Sequence, residues 1–593
     1  MVDVESFPLL YDFKKGRYKR FMRKYGNVIG IAIIFLSASC ICLYFVSKSD
    51  GPLDSPVKYK GRLIKGTKGA VAVEAEECSN IGVEILKKGG NAADAAIASA
   101  LCIGVIDSFA TGIGGGGFML IRSPNGTFEC IDFRETAPEA ATPDMFVKDP
   151  RMAKVGGLSI AVPGEIRGLE LAHKRHGRLA WKDLFEPSIK LARSGFSATK
   201  LLEVRVKAEE SWMANSTEWS QVYLPKGAAI KEGDIVKRPQ LADTLEQIAI
   251  YGADAFYEGE IAESLVRTIQ NAGGMITLKD LKEYQPVIRP TLSTYYNGRK
   301  VTTCSQPTSG PMLLSVLNLL ERYQFKAEDL TNLTIHRLIE AFKFGFAFRT
   351  EMADPDYIEN KNRIREMLTK DYASKVRQRI TDDTTHDPLY YGPKYDHIES
   401  HGTMHLSVVD ENDGAVALTS TVNLVFGSHI MDGETGVVLN DEMDDFSIPG
   451  IPNDFGLYPS PNNYAGPSKR PLSSITPTII EKDANFEMAI GGSGGSMIPT
   501  ATLTAMLNLL DFGKDLYTSI ASPRAHHQLL PNLVILENGY SRDIQRELEL
   551  KNHITLRISP EYSVSAVQAV RRLSDGSVEA ASDPRKMGLA AAY

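Results

Sequence analysis

Two periodic patterns predict an α+β fold for the bulk of this 593-residue chain. Apolar residues recur at helical spacing over residues 168–177, 334–350 and 497–512. Residues 400–445 and 473–492 instead combine β-prone runs with clusters of Asn, Asp and Gly, which indicates strands joined by turns. With 43% hydrophobic residues, the chain has ample material for a large core.

An apolar segment near the N-terminus predicts a membrane anchor. Residues 28–46 carry no charge and are about 20 residues long, which is enough to cross a bilayer. Residues 14–24 before it are rich in Lys and Arg, whereas Lys48 behind it is followed by two aspartates. The positive-inside rule therefore predicts a single-pass type II protein of the cell membrane, with the bulk of the chain extracellular. A cleaved signal peptide is the rival interpretation, although the apolar run is long and starts late.

The segments on either side of this anchor are predicted to lie outside the globular fold. Residues 1–27 form the expected cytosolic tail, and residues 47–62 have the composition of a short flexible stalk. Within the tail, residues 5–10 (Glu-Ser-Phe-Pro-Leu-Leu) have the form of an acidic dileucine signal for endosomal sorting. The same residues are equally compatible with a disordered tail.

Three sequons fit an extracellular location, whereas the six cysteines fit it less fully. Asn125, Asn215 and Asn332 each begin an Asn-x-Ser/Thr triplet on the side predicted to be lumenal, so we expect glycosylation there. Cys40 and Cys42 fall within the predicted membrane span. Cys130 and Cys304 have no evident partner, and we expect them to be buried free thiols.

The first globular segment predicts a buried helix and argues against two classes of ligand. Asn91 is placed to cap a helix, with Asp94 three residues later to reciprocate. Residues 112–117 match the pattern G-x-G-x-x-G, but they lead into a strand-like run, so no helix N-terminus faces a phosphate there. The net charge of −7, without an extended basic region beyond the N-terminus, argues against nucleic acid as a partner.

The bond between Gly402 and Thr403 has the composition of a self-cleavage site. A Thr hydroxyl is a poor nucleophile until a base activates it, and a Thr at a free N-terminus has its own α-amine as that base. An α-amine titrates near pH ~8, close to the range in which a general base works best. Gly402 admits strained backbone conformations and a close approach of the hydroxyl. A strand Thr after a turn Gly is the common alternative.

The residues after Thr403 predict a hairpin that brings a second hydroxyl to it. An apolar run extends to Val409, and a turn-forming Asp-Glu-Asn-Asp-Gly cluster at 410–414 separates it from the β-prone residues 415–423. Folding about this cluster sets Thr421 opposite Thr403, within a residue or two of register. Thr421 could then orient the nucleophile or pass a proton.

Further along the chain lie two acidic residues, a loop and a glycine pair. Glu442 and Asp445 are one turn apart if helical, and paired carboxylates need a cation. That cation is either an ammonium group or a metal ion held by residues 441–445, although no His or Cys at metal spacing and no EF-hand pattern accompanies them. Residues 447–472 are rich in Pro, Gly, Asn and Ser, which predicts a mobile lid. Gly494 and Gly495 follow an apolar strand and suit an oxyanion hole of backbone N–H groups.

Taken in order, these motifs resemble those of the γ-glutamyltranspeptidases, which are N-terminal-nucleophile hydrolases, and in particular the membrane-anchored animal type. The resemblance extends from about residue 69 to 593 and implies a four-layer αββα sandwich with the nucleophile at the start of a strand. It divides the ectodomain into a large subunit, 63–402, and a small subunit, 403–593. The matching segments are 134–138, 162–168, 402–409, 419–423, 442–446, 471–474 and 494–495.

The resemblance also implies a role for each candidate site residue. It makes Thr403 the nucleophile, Thr421 its neighbour, and Gly494 with Gly495 the oxyanion hole. It places donors around the α-carboxylate of the substrate: Arg134, Ser473 and Ser474. It places the acceptors Glu442 and Asp445 around the α-ammonium, and Asn423 completes the contacts of the amine or the carboxylate. Without the resemblance, a structural role beside Glu135 would be the better interpretation of Arg134, and a turn that of the paired serines.

The implied reaction is γ-glutamyl transfer from glutathione or its conjugates, without a metal or organic cofactor. Thr403 first cuts the chain before itself, and the freed residue then forms a γ-glutamyl ester that water, an amino acid or a dipeptide resolves. An inactive ectodomain kept for binding is the alternative from another class, and a relative selective for leukotriene-type conjugates or an acylase-like amidase is a third. The intact set of site residues favours the enzyme.

Two further points follow from the comparison with the family. Cys78 and Cys102 have the spacing of a disulfide in its animal members, and the second, short-spaced disulfide of those members has no counterpart here. Many relatives carry an Asp shortly before the Gly-Thr pair, where this chain has Ser400 and His401. We expect His401 to alter the rate of self-cleavage and not the chemistry of the mature nucleophile.

Overall fold

The computed structural model describes residues 61–358, 361–396, 402–559 and 565–593. The predicted tail, the predicted anchor, nearly all of the stalk and His401 lie outside these ranges. No helix within the ranges combines the length and the apolarity that crossing a membrane requires. The membrane anchor at 28–46 therefore stays a prediction.

Nineteen strands are present in the described residues, and two seven-stranded antiparallel sheets contain most of them. The strands are β1 Ile64–Gly66, β2 Ala70–Ala72, β3 Gly116–Arg122, β4 Phe128–Asp132, β5 Phe196–Ser197, β6 Ile235–Val236, β7 Val287–Arg289, β8 Thr291–Tyr296, β9 Arg299–Cys304, β10 Met404–Val409, β11 Ala415–Thr421, β12 Thr478–Lys482, β13 Asn485–Ser493, β14 Ala525–His526, β15 Val534–Glu537, β16 Thr555–Ile558, β17 Ala566–Arg572, β18 Val578–Ser582 and β19 Ala591–Ala592. The first sheet has the order β1-β18-β17-β13-β12-β9-β8, and the second has the order β19-β2-β10-β11-β3-β4-β7.

The helices of the described residues flank these sheets. They are α1 Glu76–Lys87, α2 Ala92–Ile106, α3 Glu165–His176, α4 Trp181–Ser194, α5 Lys200–Met213, α6 Thr217–Tyr223, α7 Pro239–Tyr251, α8 Asp254–Tyr257, α9 Glu260–Asn271, α10 Leu278–Glu283, α11 Gly310–Leu320, α12 Asn332–Arg349, α13 Lys361–Met367, α14 Lys370–Arg377, α15 Ile498–Leu510, α16 Leu516–Ala521 and α17 Arg542–Leu550. The helices predicted at 168–177, 334–350 and 497–512 correspond to α3, α12 and α15. Asn91 and Asp94 form the predicted capping box at the start of α2.

Three hydrophobic clusters define four layers. One cluster packs α1 to α9 against the second sheet, and another packs α11, α12, α15 and α16 against the first. A third lies between the two sheets and consists largely of small side chains. Strand β11 shows the period of two that this requires: Val416 and Leu418 face the helices, whereas Ala415 and Ala417 face the opposite sheet.

Two disulfides join the described part of the chain. Cys78 and Cys102 bond α1 to α2, as the resemblance implied. The expectation of free thiols at Cys130 and Cys304 is wrong, because these residues form a second disulfide across 174 residues of sequence. Cys130 lies in β4 of the second sheet and Cys304 is the last residue of β9 in the first sheet, so the bond joins the two sheets. Sequence spacing gave no hint of this pair because the contact is between sheets.

The surface features predicted from the sequence lie in different settings. Asn125 and Asn215 are exposed, whereas Asn332 is half-buried and the Thr334 of its sequon is buried. Residues 447–472 contain no strand or helix beyond a short 3-10 turn at Pro461–Asn463, and Ile451 in this loop is 88% exposed. The segment is thus irregular and partly exposed, and its role as a lid stays a prediction.

Candidate active site

The backbone at the predicted cleavage site is strained. Thr403 has φ +91°, a conformation that a β-branched residue rarely adopts, and Gly402 before it has φ +129°. A Cβ placed on Gly402 would lie 1.6 Å from the carbonyl oxygen of Asn423, so only glycine fits this position. Thr403 is 6% exposed and leads directly into β10. The strain is therefore stored at the peptide bond between these two residues.

The hairpin places Thr421 beside Thr403. Strands β10 and β11 pair in a register in which Met404 lies opposite Ser420, so the next pair outward is Thr403 and Thr421. The Thr403 hydroxyl donates to Oγ1 of Thr421 over 3.3 Å, and the backbone N–H of Asn423 donates to the same oxygen over 2.8 Å. The Thr421 oxygen therefore accepts two hydrogen bonds and lies next to the hydroxyl of the candidate nucleophile.

The carbonyl that Thr403 would attack already has a hydrogen-bond donor. The backbone N–H of Gly494 donates to the Gly402 carbonyl oxygen over 3.1 Å. Gly494 has φ +112° and Gly495 has φ +57°, which are left-handed conformations that favour glycine. The same N–H group that polarises this carbonyl would stabilise the oxyanion formed on attack.

Arg134 lies at the centre of a buried charged cluster. Its guanidinium forms ion pairs with both Glu442 and Asp445, which lie on the 3-10 turn Glu442–Asp445. The side chain is 1% exposed. Burial alone would lower the pKa of Arg134, but the carboxylates of Glu442, Asp445 and Glu135 raise it above its ordinary value, so the guanidinium stays charged. The structure thus brings together residues that the sequence assigned to opposite ends of one ligand.

Three carboxylates, Glu135, Glu442 and Asp445, lie near two buried guanidinium groups, Arg134 and Arg349, in this cluster. Burial raises the pKa of Glu135 to about 7 and raises that of Glu442 well above its usual range. Among the described residues, Oδ1 of Asp445 and Oε2 of Glu442 have no hydrogen-bond partner although both are buried. Buried acceptors without partners are costly, and a bound ammonium group would supply the missing donors.

Ser473 and Ser474 directly follow Leu472, whose carbonyl accepts a hydrogen bond from Nη2 of Arg134 over 3.4 Å. Both hydroxyl oxygens already accept a hydrogen bond: Ser473 from the N–H of Ile475 (3.2 Å) and Ser474 from Nη2 of Arg349 (3.0 Å). Each hydroxyl therefore retains its own proton for donation to an anionic group.

Sequence reasoning missed several residues that support this site. Arg349, buried at the end of α12, contacts Ser474 and also donates to the Ser309 hydroxyl (2.9 Å). Asn440 accepts from the N–H of Glu442 (3.0 Å) and so fixes the start of the acidic turn. Lys586 donates to the carbonyl of Thr403 (2.8 Å). The position of Asn440 beside the acidic motif was a usable signal, whereas Arg349 and Lys586 are too distant in sequence to be found.

The acidic residues 441–445 do not converge on one point. Glu442 and Asp445 pair with Arg134, Oδ1 of Asp441 accepts from the N–H of Leu424 (2.9 Å), and Asp444 is 3.8 Å from Lys154. Divided among these partners, the carboxylates fit a set of ion pairs better than the ligands of a metal ion.

Elsewhere in the described residues, His336, Glu340 and His553 form a buried group of metal-ligating type. The ammonium of Lys343 lies 3.6 Å from Glu340, however, and already supplies a positive charge there. The two imidazoles contact each other directly, with Nδ1 of His336 2.8 Å from Nε2 of His553. This group therefore fits a hydrogen-bonded network around a lysine.

Comparison with known proteins agrees with this geometry. The family model described as Gamma-glutamyltranspeptidase matches residues 78–593. The chain belongs to the γ-glutamyltranspeptidase family. The match covers every candidate site residue and both sides of the predicted cleavage site.

Individual relatives and structures extend the match to this family. The chain is 44% identical over 548 residues to "Glutathione hydrolase proenzyme 1" of Schizosaccharomyces pombe, covering 90% of this chain and 87% of the relative. It is 36% identical over 568 residues to "Glutathione hydrolase proenzyme" of Escherichia coli, covering 93% and 96%. Among solved structures, the cephalosporin acylase of Bacillus halodurans has a TM-score of 0.80 at 25% identity, covering 92% of this chain and 99% of that one. The γ-glutamyltranspeptidase of Helicobacter pylori has a TM-score of 0.51 at 33% identity, covering 53% and 91%.

Gly402→Ala tests the strained site. The added Cβ would collide with the Asn423 carbonyl, and φ +129° would itself be strained for alanine, so the backbone must move away from the Gly494 N–H. We expect conversion of precursor to two chains to slow by at least about tenfold, since a shifted oxyanion contact costs roughly 1.4 kcal/mol or more. Densitometry of a time course on denaturing gels measures this rate. Gly466→Ala is the matched control, because open space surrounds that position; equal rates for both variants and the unaltered chain would contradict the proposed geometry.

Proposed function

We propose that this chain is a precursor that cuts itself between Gly402 and Thr403 and then hydrolyses or transfers the γ-glutamyl group of glutathione and its conjugates. The observation that carries the proposal is the strained Thr403, whose hydroxyl contacts Thr421 while the Gly494 N–H contacts the carbonyl before it. The two relatives described above are named glutathione hydrolase proenzymes, which supports both the activity and the processing.

Self-cleavage begins with an acyl shift. Oγ1 of Thr403 attacks the carbonyl carbon of Gly402, and the Gly494 N–H stabilises the resulting oxyanion. The hydroxyl proton passes by way of Thr421 to the departing nitrogen of Thr403, and the C–N bond breaks to leave an ester. Water then hydrolyses the ester, giving a carboxylate on Gly402 and a free α-amine and hydroxyl on Thr403. Relief of the strain at φ +91° favours the forward direction.

Turnover uses the same atoms with a new base. The free α-amine of Thr403 takes the hydroxyl proton as Oγ1 attacks the γ-carbonyl of the donor. Backbone N–H groups of Gly494 and Gly495 hold the oxyanion. The amine then gives the proton to the leaving nitrogen, cysteinylglycine departs, and a γ-glutamyl ester remains on Thr403. Water, an amino acid or a dipeptide attacks that ester, with the α-amine again accepting a proton, and no cofactor enters the cycle.

Recognition of the γ-glutamyl group is assigned to the buried charged cluster. Arg134, Ser473 and Ser474 would bind the α-carboxylate, Glu442 and Asp445 would bind the α-ammonium, and Asn423 would complete the contacts of the amine or the carboxylate. The buried oxygens of Glu442 and Asp445 that lack hydrogen-bond partners support this division, because an ammonium group would supply the missing donors. Residues 447–472 would cover the pocket as a lid, since Asn463 in this loop donates to the carbonyl of Asp445 over 2.8 Å.

The two chains produced by the cut would remain one body. The second sheet interleaves strands from before and after Thr403: β2 pairs with β10, and β11 pairs with β3. The large subunit, 63–402, and the small subunit, 403–593, therefore share their sheets and form a heterodimer held by backbone hydrogen bonds and the buried core.

We further propose that the N-terminal segments anchor this enzyme in a membrane. Residues 28–46 would form a type II anchor behind the cytosolic tail 1–27, with the stalk 47–62 leading to an extracellular catalytic body. The two disulfides support an oxidising compartment for that body. Glycans at Asn125, Asn215 and Asn332 and a dileucine signal at residues 5–10 for endosomal sorting belong to the same proposal.

Thr403→Ala tests the identity of the nucleophile. We expect the unaltered protein to appear as two chains, the smaller beginning at Thr403, and Thr403→Ala to remain a single chain without measurable release of anilide from a γ-glutamyl anilide. N-terminal sequencing of the small fragment and a turnover assay measure both effects. Thr421→Ala should keep the nucleophile and slow both steps. An uncut yet fully active protein would rule out the mechanism, and cleavage without any γ-glutamyl turnover would favour an inactive ectodomain or an amidase of other specificity.

Arg134→Lys and Asp445→Asn test the binding of the γ-glutamyl group. Each removes a charge-assisted contact in a buried pocket, worth roughly 1.5–3 kcal/mol, so KM for the donor should rise by about tenfold or more. Lys keeps the charge of Arg134 but loses its planar fork. Processing at Gly402 should proceed in both variants because it needs no bound ligand. A donor lacking the α-amine should be poor for the unaltered enzyme and indifferent to Asp445→Asn; unchanged KM and kcat in both variants would refute the assignment.

Deletion of residues 1–61 tests the anchor. The unaltered protein should pellet with membranes and resist extraction by carbonate, and external protease should digest its catalytic body on intact cells. The shortened chain, directed to the secretory route by a cleavable signal, should be released in active form. Protection of the catalytic body from external protease in cells with intact membranes would contradict the predicted orientation.

A further inference from the structure

A buried lysine near the C-terminal end of the chain contacts the backbone carbonyl of the candidate nucleophile. Lys586 ends the 3-10 turn Pro584–Lys586 and is 8% exposed. Its Nζ donates to Oε2 of Glu74 (2.7 Å), to the hydroxyl of Ser493 (2.8 Å) and to the carbonyl oxygen of Thr403 (2.8 Å). All three donor positions of the ammonium are thus used, and one of them holds Thr403.

Glu74, which pairs with Lys586, also contacts strands β10 and β13. Its Oε1 accepts from the Ser493 hydroxyl over 2.5 Å and lies 3.4 Å from the backbone N–H of His405. Ser493 is the last residue of β13, immediately before Gly494. The ion pair therefore connects the start of the nucleophile strand with the strand that presents the oxyanion hole.

The pair also completes the restraint on Thr403. The carbonyl before Thr403 is held by the Gly494 N–H, and the carbonyl of Thr403 itself is held by Lys586. With both neighbouring carbonyls bound, the backbone between them is kept at φ +91°. Release of either contact would let the residue relax toward an ordinary strand conformation.

The ammonium is close enough to influence the α-amine electrostatically. Covalent geometry keeps the nitrogen and carbonyl oxygen of one residue within about 4 Å, so Nζ of Lys586 lies within about 7 Å of the Thr403 nitrogen. In a buried, partly polar environment, a unit charge at this distance changes a pKa by about one unit. Glu74 carries the opposite charge in direct contact with this ammonium and offsets its effect on the amine.

We propose that the Lys586–Glu74 ion pair is a positioning element that holds Thr403 in its strained conformation and keeps its α-amine, once freed, available as the neutral base. This inference rests on the proposed function, because it takes Thr403 as the nucleophile. Neither side chain contacts the γ-glutamyl group in the assignment above, so the pair acts through Thr403 and Ser493.

Three other titratable residues lie near the ion pair: Asp107, Arg205 and His405. The buried carboxyl of Asp107 faces both Glu74 and Lys586, and burial raises its pKa to about 7, while Arg205 lies beyond it. His405 is uncharged, since burial lowers its pKa to about 3. The variants below replace neither these residues nor the charged cluster around Arg134. Because Asp107 faces both members of the pair, each variant is also measured in an Asp107→Asn background, which removes the titration of Asp107 from the profile.

The test is the pH dependence of kcat for processed enzyme with a γ-glutamyl anilide. The α-amine must be unprotonated to accept the hydroxyl proton, so the acid limb of the profile follows its pKa. Glu74→Gln preserves the shape of the side chain and leaves the ammonium of Lys586 without a countercharge. The unpaired positive charge lowers the pKa of the α-amine, so the acid limb should move to lower pH by about one unit. Lys586→Met leaves the carboxylate of Glu74 unpaired, which raises the pKa of the α-amine, so the acid limb should move to higher pH by about one unit. The double variant should return close to the original limb.

Two further variants separate this role from a general loss of stability. Lys586→Arg keeps the positive charge, so the acid limb should stay at the same pH even where altered packing lowers kcat. Lys343→Met removes a different buried lysine, whose contacts are Glu340, Thr385 and Tyr391, and should lower the melting temperature without moving the limb. The rate of precursor cleavage gives a second measure, because Lys586→Met should slow it by about tenfold while Lys343→Met leaves it unchanged.

The outcomes distinguish the inference from the function on which it rests. Shifts of opposite sign for Glu74→Gln and Lys586→Met, cancelled in the double variant, support the ion pair as the controlling element. Limbs that stay in place, or that move in the same direction, would overturn it even when Thr403→Ala is uncut and inactive. Cleavage or turnover by Thr403→Ala would instead overturn the proposed function itself.

Discussion

The conformation of Thr403 is the constraint on which the candidate site depends. A β-branched residue at φ +91° is unfavourable by roughly 1–3 kcal/mol, so surrounding contacts must hold it. The N–H of Gly494 binds the carbonyl before it, Lys586 binds the carbonyl after it, and the Asn423 backbone closes around Gly402. These contacts come from three separate regions of sequence. The two sheets must therefore be assembled before the reactive geometry exists, which ties self-cleavage to completed folding.

The antiparallel sheets explain how distant segments reach this point with little freedom. Strand β10 is flanked by β2 and β11 in the second sheet, and β13 presents Ser493 and Gly494 from the first. A slip of one residue in the β10–β11 register would turn Thr421 to the opposite face and move Leu406 and Val408 out of the helix-facing core. The hydrophobic pattern of the strands thus fixes the pairing of the two hydroxyls. The disulfide between Cys130 and Cys304 restrains the two sheets relative to each other near the centre of the molecule.

The charged cluster around Arg134 differs from the Thr403 site because several of its buried carboxylate oxygens have no hydrogen-bond partner among the described residues. Buried acceptors without partners are unfavourable until a donor reaches them. Here Glu135, Glu442 and Asp445 lie near two buried guanidinium groups, Arg134 and Arg349, and burial raises the pKa of Glu135 and Glu442. A bound ammonium group would supply donors to the carboxylate oxygens that lack hydrogen-bond partners. Asn440, which holds the backbone of Glu442, keeps the acidic turn in place whether or not a ligand is bound.

Local patterns in the sequence determined the features that depend on neighbours along the chain. The capping box at Asn91 and Asp94, the helices α3, α12 and α15, and the β10–β11 hairpin with Thr421 opposite Thr403 all follow from residues a few positions apart. The tertiary structure alone decided the features that arise from contacts between distant segments. The Cys130–Cys304 disulfide, the pairing of Arg134 with both Glu442 and Asp445, and the contact of Lys586 with Thr403 each join residues more than 170 positions apart. Sequence periodicity carries no information about such contacts, because they are set by how two sheets stack and not by the order of residues within a strand.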